Sequence, residues 1–286
     1  YETESAYNYI QVQQQNGFTL LRLNDGQGVH SIYHPDTMYF NGPWEQFSVG
    51  PYFYANRSPD EIKNMAIIGL AAGTAARQAT AIYGDDIQID GFEIDEKIVD
   101  VGKKYFDLNL SNLNIIIGDG RLGLDRSNKK YDIIAIDAYR PPYIPAHMTT
   151  YEFFDIVASH LTDNGVLTLN VGSVPGDRRL VDGLATTMSQ FFPSIHIMNI
   201  PNSLNSMIFA TKQVTTPENF SANLVRLAGD ANINPLLITT MSSTYVNLQE
   251  GYTTTTVFTD DLAPIEWIVN NMVVSFVLDG GLEFLQ

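Results

Sequence analysis

From about residue 61 onward, short apolar runs alternate with stretches of helical periodicity, and this alternation constrains the fold more than any other feature. The apolar runs have the length of strands, and the predicted strands cover residues 65–68, 87–92, 113–117, 131–136, 165–171, 194–200 and 206–211. The predicted helices cover residues 72–82, 96–106, 150–160 and 177–190. Apolar strands separated by helices are typical of a parallel sheet with helices on both faces. The pattern therefore predicts an α/β domain.

The first 55 residues have a different pattern. Short alternating stretches cover residues 9–12, 19–23 and 29–33, and Asn16-Gly17 separates the first two. Asn-Gly between alternating runs is a hairpin signal. Residues 56–60, Asn-Arg-Ser-Pro-Asp, have the composition of a boundary. We therefore expect a small antiparallel β-sheet domain at 1–55 and a larger nucleotide-binding domain at 56–286.

Composition limits the classes of partner. The chain has 16 Lys and Arg against 32 Asp and Glu, a formal charge of −16, and an acidic surface repels phosphate backbones. We therefore expect no nucleic-acid partner. A hydrophobic content of 44% excludes global disorder. The chain has no Cys, which excludes disulfides, thiolate metal sites and cysteine nucleophiles.

Small and acidic residues follow the first two predicted strands, at the edge where ligands bind in such sheets. The first strand leads into Gly69-Leu-Ala-Ala-Gly73, whose small residues permit close backbone approach to a ligand at a helix start. Packing alone is the alternative reason for these small residues. The second strand ends in Glu93, where a carboxylate can accept hydrogen bonds from two ribose hydroxyls. Asp95, just beyond it, is interpreted as the N-cap of the next helix.

The next two strand ends also carry acids. The third strand ends in Gly118-Asp119-Gly120, which suits a tight loop whose carboxylate accepts a hydrogen bond from an adenine amino group; an Asx-turn is the alternative. The fourth ends in Asp137, where partial desolvation is expected to perturb the carboxyl pKa. A nicotinamide enzyme would explain the first two strand ends only. An adenosyl-sulfonium ligand explains all four.

These residues resemble a known family, the polyamine aminopropyltransferases, which comprise spermidine synthase and its relatives. The resemblance covers most of residues 5–212 and is carried by the segments IIGLAAGTAAR, GFEID, IGDGR, YDIIAIDAY, PPYIPAHMTTYEFF and LTDNGVLTLNV. The segments ESAYNYIQV, LRLNDG and GPWEQF are similar to the family's N-terminal β-hairpin domain. The implied fold is a class I methyltransferase-like Rossmann sheet behind a small N-terminal antiparallel sheet. The tail TDDLAPIEWI is similar to a divergent branch, some members of which are fused to membrane helices.

The resemblance also implies roles for individual residues. Asp137 matches the catalytic aspartate of the family. The implied contacts to S-adenosylmethionine or its decarboxylated form are Gly69, Ala71, Gly73, Glu93, Ile94, Asp119, Gly120 and Ala138. Apart from the resemblance, the candidate contacts to the second substrate are Tyr139, Arg140, Asp260 and Asp261. No metal is expected.

Three positions depart from the family pattern. Ala72 stands where the family has an acid that holds the donor's ammonium group, and Arg140 stands where it has a second acid near the catalytic one. Losing these acids weakens the attraction for a diamine, and Asp260 or Asp261 is expected to compensate. Arg140 is a candidate partner for a carboxylate on the nucleotide or on an unusual acceptor. Asn8 replaces a Gln and is one methylene shorter.

The sequence therefore favours an aminopropyltransferase-like enzyme with a small-molecule amine acceptor. A methyltransferase on the same fold and a nucleotide-binding module without turnover remain alternatives. We expect a homodimer. No apolar run approaches the roughly 18 residues of a membrane helix, and the chain begins at Tyr1, as an excised or processed piece would. We expect a cytoplasmic protein or the soluble domain of a membrane-anchored one. His147 is interpreted as a surface residue, with contact to a ligand as the alternative, and Trp267 is interpreted as part of the core.

Overall fold

The computed structural model describes residues 1–24, 28–139 and 143–278. The chain begins with a four-stranded antiparallel sheet in sequential order, formed by β1 (Glu2–Glu4), β2 (Tyr9–Gln15), β3 (Phe18–Leu23) and β4 (Ser31–Tyr33). Asn16 and Gly17 both have positive φ, 53° and 85°, as a type I′ turn requires. The predicted hairpin and antiparallel sheet are therefore confirmed.

Residues 44–54 lie in the connection between the two sheets and are buried. Helix α1 (Pro43–Gln46) is followed by a 3₁₀ turn at Gly50–Phe53. Phe47, Tyr52 and Phe53 belong to the same hydrophobic cluster as Met65 and Ile67 of the central sheet. The small sheet proper thus ends well before residue 55, and the division of the chain at that residue stays a prediction.

The central sheet has eight strands, in the order β12-β10-β11-β9-β8-β5-β6-β7. They are β5 (Asn64–Ile68), β6 (Gln88–Glu93), β7 (Leu113–Ile117), β8 (Tyr131–Ile136), β9 (Leu161–Gly172), β10 (Ser194–Asn199), β11 (Asn205–Thr211) and β12 (Leu248–Gln249). Strands β5 to β9 are parallel, as expected. The sheet as a whole is mixed, because β11 runs antiparallel to both β9 and β10. A short turn joins β10 to β11, which leaves no room for a helical crossover.

Helices cover both faces of this sheet. They are α2 (Thr74–Tyr83), α3 (Glu96–Tyr105), α4 (Gly120–Asp125), α5 (Tyr151–His160), α6 (Arg179–Met188), α7 (Pro217–Ala228), α8 (Pro235–Val246) and α9 (Ile265–Leu278). The predicted helices correspond to α2, α3, α5 and α6, and Thr150 caps α5 through its hydroxyl. Trp267 is 63% exposed on α9, so its assignment to the core was wrong.

The strand order determines where a ligand can bind. Strand β5 lies between β8 and β6, so the connections that leave β5 and β8 diverge to opposite faces of the sheet. In open α/β sheets this switch point opens a crevice at the carboxyl ends of the strands. In the described part of the chain, no helix is both long enough and apolar enough to cross a bilayer.

Candidate functional site

A cavity of about 370 Å³ opens at the carboxyl ends of β5, β6, β7 and β8. The four predicted strand ends converge on it. Nine of the residues singled out in the sequence line it together, namely Gly69, Ala71, Glu93, Ile94, Asp119, Gly120, Asp137, Ala138 and Tyr139. One pocket therefore collects three carboxylates and a stretch of exposed backbone.

Gly69 allows the first loop to lie directly against the end of β8. Its φ of +89° belongs to the left-handed region, and a Cβ there would lie 2.4 Å from the backbone oxygen of Asp137. Gly73 has a different place. Gly73 is the N-cap of α2, with a φ of +85°, and it does not line the cavity. A Cβ at this position would lie 2.2 Å from Leu108 Cδ1. The structure thus explains Gly73 by conformation and packing.

Glu93 ends β6 and is 7% exposed. Its Oε2 accepts a hydrogen bond from the amide of Ala71 (2.9 Å), and its Oε1 accepts one from the amide of Asp95 (3.1 Å). Burial is the largest influence on this carboxyl and raises its pKa. A carboxylate offers about four lone-pair positions, so two remain for hydroxyl donors such as those of a ribose.

Asp119 is the N-cap of α4 and lines the cavity just beyond the end of β7, the strand paired with β6. Its Oδ1 caps the helix by accepting from the amide of Leu122 (2.9 Å), and its Oδ2 lies 3.0 Å from His147 Nε2. His147 is exposed, as expected, and it also lines the cavity. A His that contacts an acid 28 positions earlier leaves no local sequence pattern.

Asp137 lies at the floor of the cavity. Burial raises the pKa of its carboxyl to about 6, and a hydrogen bond from Asn170 Nδ2 to Oδ1 (2.8 Å) opposes that rise. Asn170 comes from the neighbouring strand β9, and its backbone oxygen accepts a hydrogen bond from the hydroxyl of Tyr139 (3.0 Å). That hydroxyl in turn accepts from the amide of Gly172 (2.6 Å). The carboxylate is therefore held in one orientation by strand β9.

The small N-terminal sheet covers the cavity from outside. Five residues of this segment line the cavity, namely Ala6, Tyr7, Asn8, Leu23 and His30. Of these, the sequence analysis singled out only Asn8. Asp95 attaches this sheet to the larger domain. Its Oδ2 accepts from Ser5 Oγ (2.5 Å) and from Asn8 Nδ2 (2.9 Å), while its Oδ1 accepts from the amide of Lys97 as the expected N-cap.

The remaining predicted contacts lie elsewhere. Asp260 does not line the cavity and forms a bidentate pair with Arg121, and Asp261 is exposed outside the cavity. Ala72 is fully buried, and its amide donates to Ser31 Oγ (3.0 Å). Arg140 lies outside the described residues, so its role stays a prediction. Within the described ranges, no three His, Asp or Glu side chains are grouped so that they could hold a metal ion.

Comparison with known proteins identifies the class first. The fold is that of the spermidine synthases and class I methyltransferases. A probable spermidine synthase from Corynebacterium glutamicum superposes with a TM-score of 0.68 at 18% identity, over 90% of this chain and 98% of that one. Human methyltransferase-like protein 13, solved in complex with SAH, gives a TM-score of 0.54 at 22% identity, over 77% of this chain and 98% of that one. The predicted fold class is confirmed.

The family follows from the sequence comparison. The spermine/spermidine synthase domain matches residues 55–223, and the chain belongs to that family. A probable polyamine aminopropyl transferase from Bifidobacterium longum is 29% identical over 300 residues, which cover all of this chain and 66% of the relative. A polyamine aminopropyltransferase from Vibrio vulnificus is 26% identical over 227 residues, or 76% of this chain and 73% of that protein. The chain thus spans about two thirds of the length of the Bifidobacterium relative.

Proposed function

We propose that this protein transfers an aminopropyl group from decarboxylated S-adenosylmethionine to an amine and releases methylthioadenosine. The observation that carries the proposal is the half-buried carboxylate of Asp137 on the floor of a cavity whose other acids, Glu93 and Asp119, suit a ribose and an adenine. The names of the relatives from Bifidobacterium and Vibrio support the same reaction.

The proposed chemistry needs little from the protein beyond positioning and one base. The bond between the sulfonium sulfur and the aminopropyl carbon breaks, and the sulfur keeps the electron pair as a neutral thioether. The acceptor nitrogen forms the new bond to that carbon and becomes more acidic as it does so. Asp137 accepts the proton that the nitrogen loses. Orientation of the two substrates in one cavity supplies the remaining acceleration.

A methyltransferase is the second candidate, because the fold is shared with methyltransferases and an adenosyl cavity serves both reactions. Incubation with S-adenosylmethionine or its decarboxylated form, each with a panel of mono- and diamines, separates the two. We expect methylthioadenosine together with an aminopropylated amine. S-adenosylhomocysteine with a methylated amine would establish the alternative instead. Tight nucleotide binding without any product would indicate a binding module.

The pKa of Asp137 predicts a pH dependence. The carboxylate is the active form, so activity falls as the pH drops through about 6. An amine acceptor with a pKa near 10 must also lose a proton before it reacts, so log kcat/KM rises by a further one per pH unit throughout this range. We therefore expect the slope of log kcat/KM against pH to decrease by one near pH 6. A constant slope between pH 5 and 8 would contradict the assignment of Asp137 as the base.

Asn170 is expected to determine the pH at which the slope of log kcat/KM decreases. Replacing it with Leu keeps the approximate shape and removes the hydrogen bond that lowers the pKa of Asp137. A hydrogen bond to a charged group contributes about 1.5–3 kcal/mol, so the change in slope should move upward by about one to two pH units. Thr168→Val is the matched control on the same face of β9, because the Thr168 hydroxyl is buried without a hydrogen-bond partner in the described structure. It should leave the profile in place.

A further inference from the structure

Arg121 directly follows two residues of the cavity lining and joins three distant segments. It follows the lining residues Asp119 and Gly120, yet its guanidinium binds the C-terminal part of the chain. Its Nη1 and Nη2 donate to the two carboxylate oxygens of Asp260, both at 2.7 Å. The Nη1 also donates to the backbone oxygen of His147 (2.8 Å).

Asp260 is held from three sides. Besides the pair with Arg121, its Oδ1 accepts from the hydroxyl of Thr150, the N-cap of α5 (2.7 Å), and its amide donates to Glu152 Oε2 (2.9 Å). The pairing lowers the pKa of Asp260 and raises the pKa of Arg121, so both groups are charged at neutral pH. Asp260 lies beyond residues 55–223, the part of the chain that matches the family.

The pair is coupled to the lining of the cavity through two short paths. One runs along the backbone from Arg121 to Gly120 and Asp119. The other runs through the backbone oxygen of His147, whose Nε2 contacts Asp119 Oδ2 (3.0 Å). A bidentate arginine–carboxylate pair restrains direction as well as distance. Displacing the guanidinium would therefore release both Asp119 and the loop that carries His147.

We propose that Arg121 and Asp260 are positioning residues that hold Asp119 in place for the base of the nucleotide, so that the C-terminal segment completes the binding site. This inference rests on the proposed function, in which the cavity takes an adenosyl group. Neither residue touches the cavity itself, so their effect is exerted through Asp119 and His147.

Calorimetry with methylthioadenosine and with its analogue that lacks the 6-amino group tests the proposal. The variants are Asp260→Asn, Arg121→Gln and the double substitution, with Arg121→Lys as the variant that keeps the charge and loses the bidentate geometry. Asp155→Asn and Arg126→Gln are the controls, because both residues are exposed and lie on or next to the same helices. Asp260 is exposed and Arg121 is partly exposed, and an ion pair in contact with solvent contributes little to folding stability, so the variants should fold.

We expect each single variant and the double variant to lose about tenfold in affinity for methylthioadenosine, with no further loss in the double. The analogue should lose much less, because it cannot use Asp119, so the discrimination between the two ligands should fall. Arg121→Lys should lie between wild type and Arg121→Gln. An equal loss for both ligands, or no loss, would overturn the inference while the proposed function stands. Failure of the wild type to bind methylthioadenosine would overturn both.

Discussion

Asp137→Asn is expected to lower kcat by about 10²–10⁴-fold, the range that a positioned general base contributes. The amide has nearly the same shape, and its oxygen can still accept from Asn170 Nδ2. The affinity for methylthioadenosine should therefore change little. Rapid-quench measurement of product formation, together with calorimetry, separates the two quantities. A variant that keeps more than a tenth of the wild-type kcat would remove Asp137 from the mechanism.

The same substitution should stabilise the protein at neutral pH. The folded-state pKa of Asp137, about 6, lies above the value of about 3.9 for a free aspartate, so the folded state holds a proton more strongly between these values. The free energy of unfolding therefore falls as the pH rises through this window. Asn does not ionise, so the variant avoids the cost of burying a charge. At one pKa unit per 1.36 kcal/mol, the gain is at most about 3 kcal/mol above pH 6.

Thermal unfolding at pH 4 and pH 7.5 measures this effect. The difference in Tm between Asp137→Asn and wild type should be small at pH 4 and should reach several degrees at pH 7.5. Asp155→Asn, an exposed change of the same kind, should show no such difference. If the Asn variant were instead less stable at pH 7.5, the burial of the charged carboxylate would not be the dominant influence at this position.

Gly69→Ala should remove nucleotide binding and destabilise the fold. The new Cβ would lie 2.4 Å from the backbone oxygen of Asp137 and 2.9 Å from the amide nitrogen of Ala138, and backbone atoms cannot move aside as a side chain does. Alanine at a φ of +89° adds conformational strain of about 1–2 kcal/mol, and overpacking adds about 1–3 kcal/mol. We expect a loss of stability of about 2–5 kcal/mol and a loss of affinity for methylthioadenosine of at least 100-fold.

Gly84→Ala separates the two causes. Gly84 has a similar φ of +81°, at the end of α2, but nothing lies within 4 Å of a Cβ built there. This variant should show only the conformational strain and bind nucleotide like the wild type. Chemical denaturation measures the stability of both variants. Equal losses of stability and unchanged binding in the two variants would show that the contact between Gly69 and the end of β8 is unimportant.

Much of the site follows from one regularity that is visible in the sequence. Apolar runs end in Gly69, Glu93, Asp119 and Asp137, and parallel strands place their carboxyl ends along one edge of a sheet. The structure brings all four to one cavity. The sequence left the direction of β11 open, because an apolar strand has the same period in either direction.

The sequence by itself determined the class of fold and the four strand ends, because both depend on short-range periodicity and on the order of the elements. Only the tertiary structure decided that the N-terminal sheet covers the cavity, that Asn170 orients Asp137, and that Asp260 binds Arg121 instead of lining the site. These contacts join residues between 33 and 139 positions apart. Side chains that meet across such separations obey packing and hydrogen bonding in three dimensions, and no local pattern of residues records those partners.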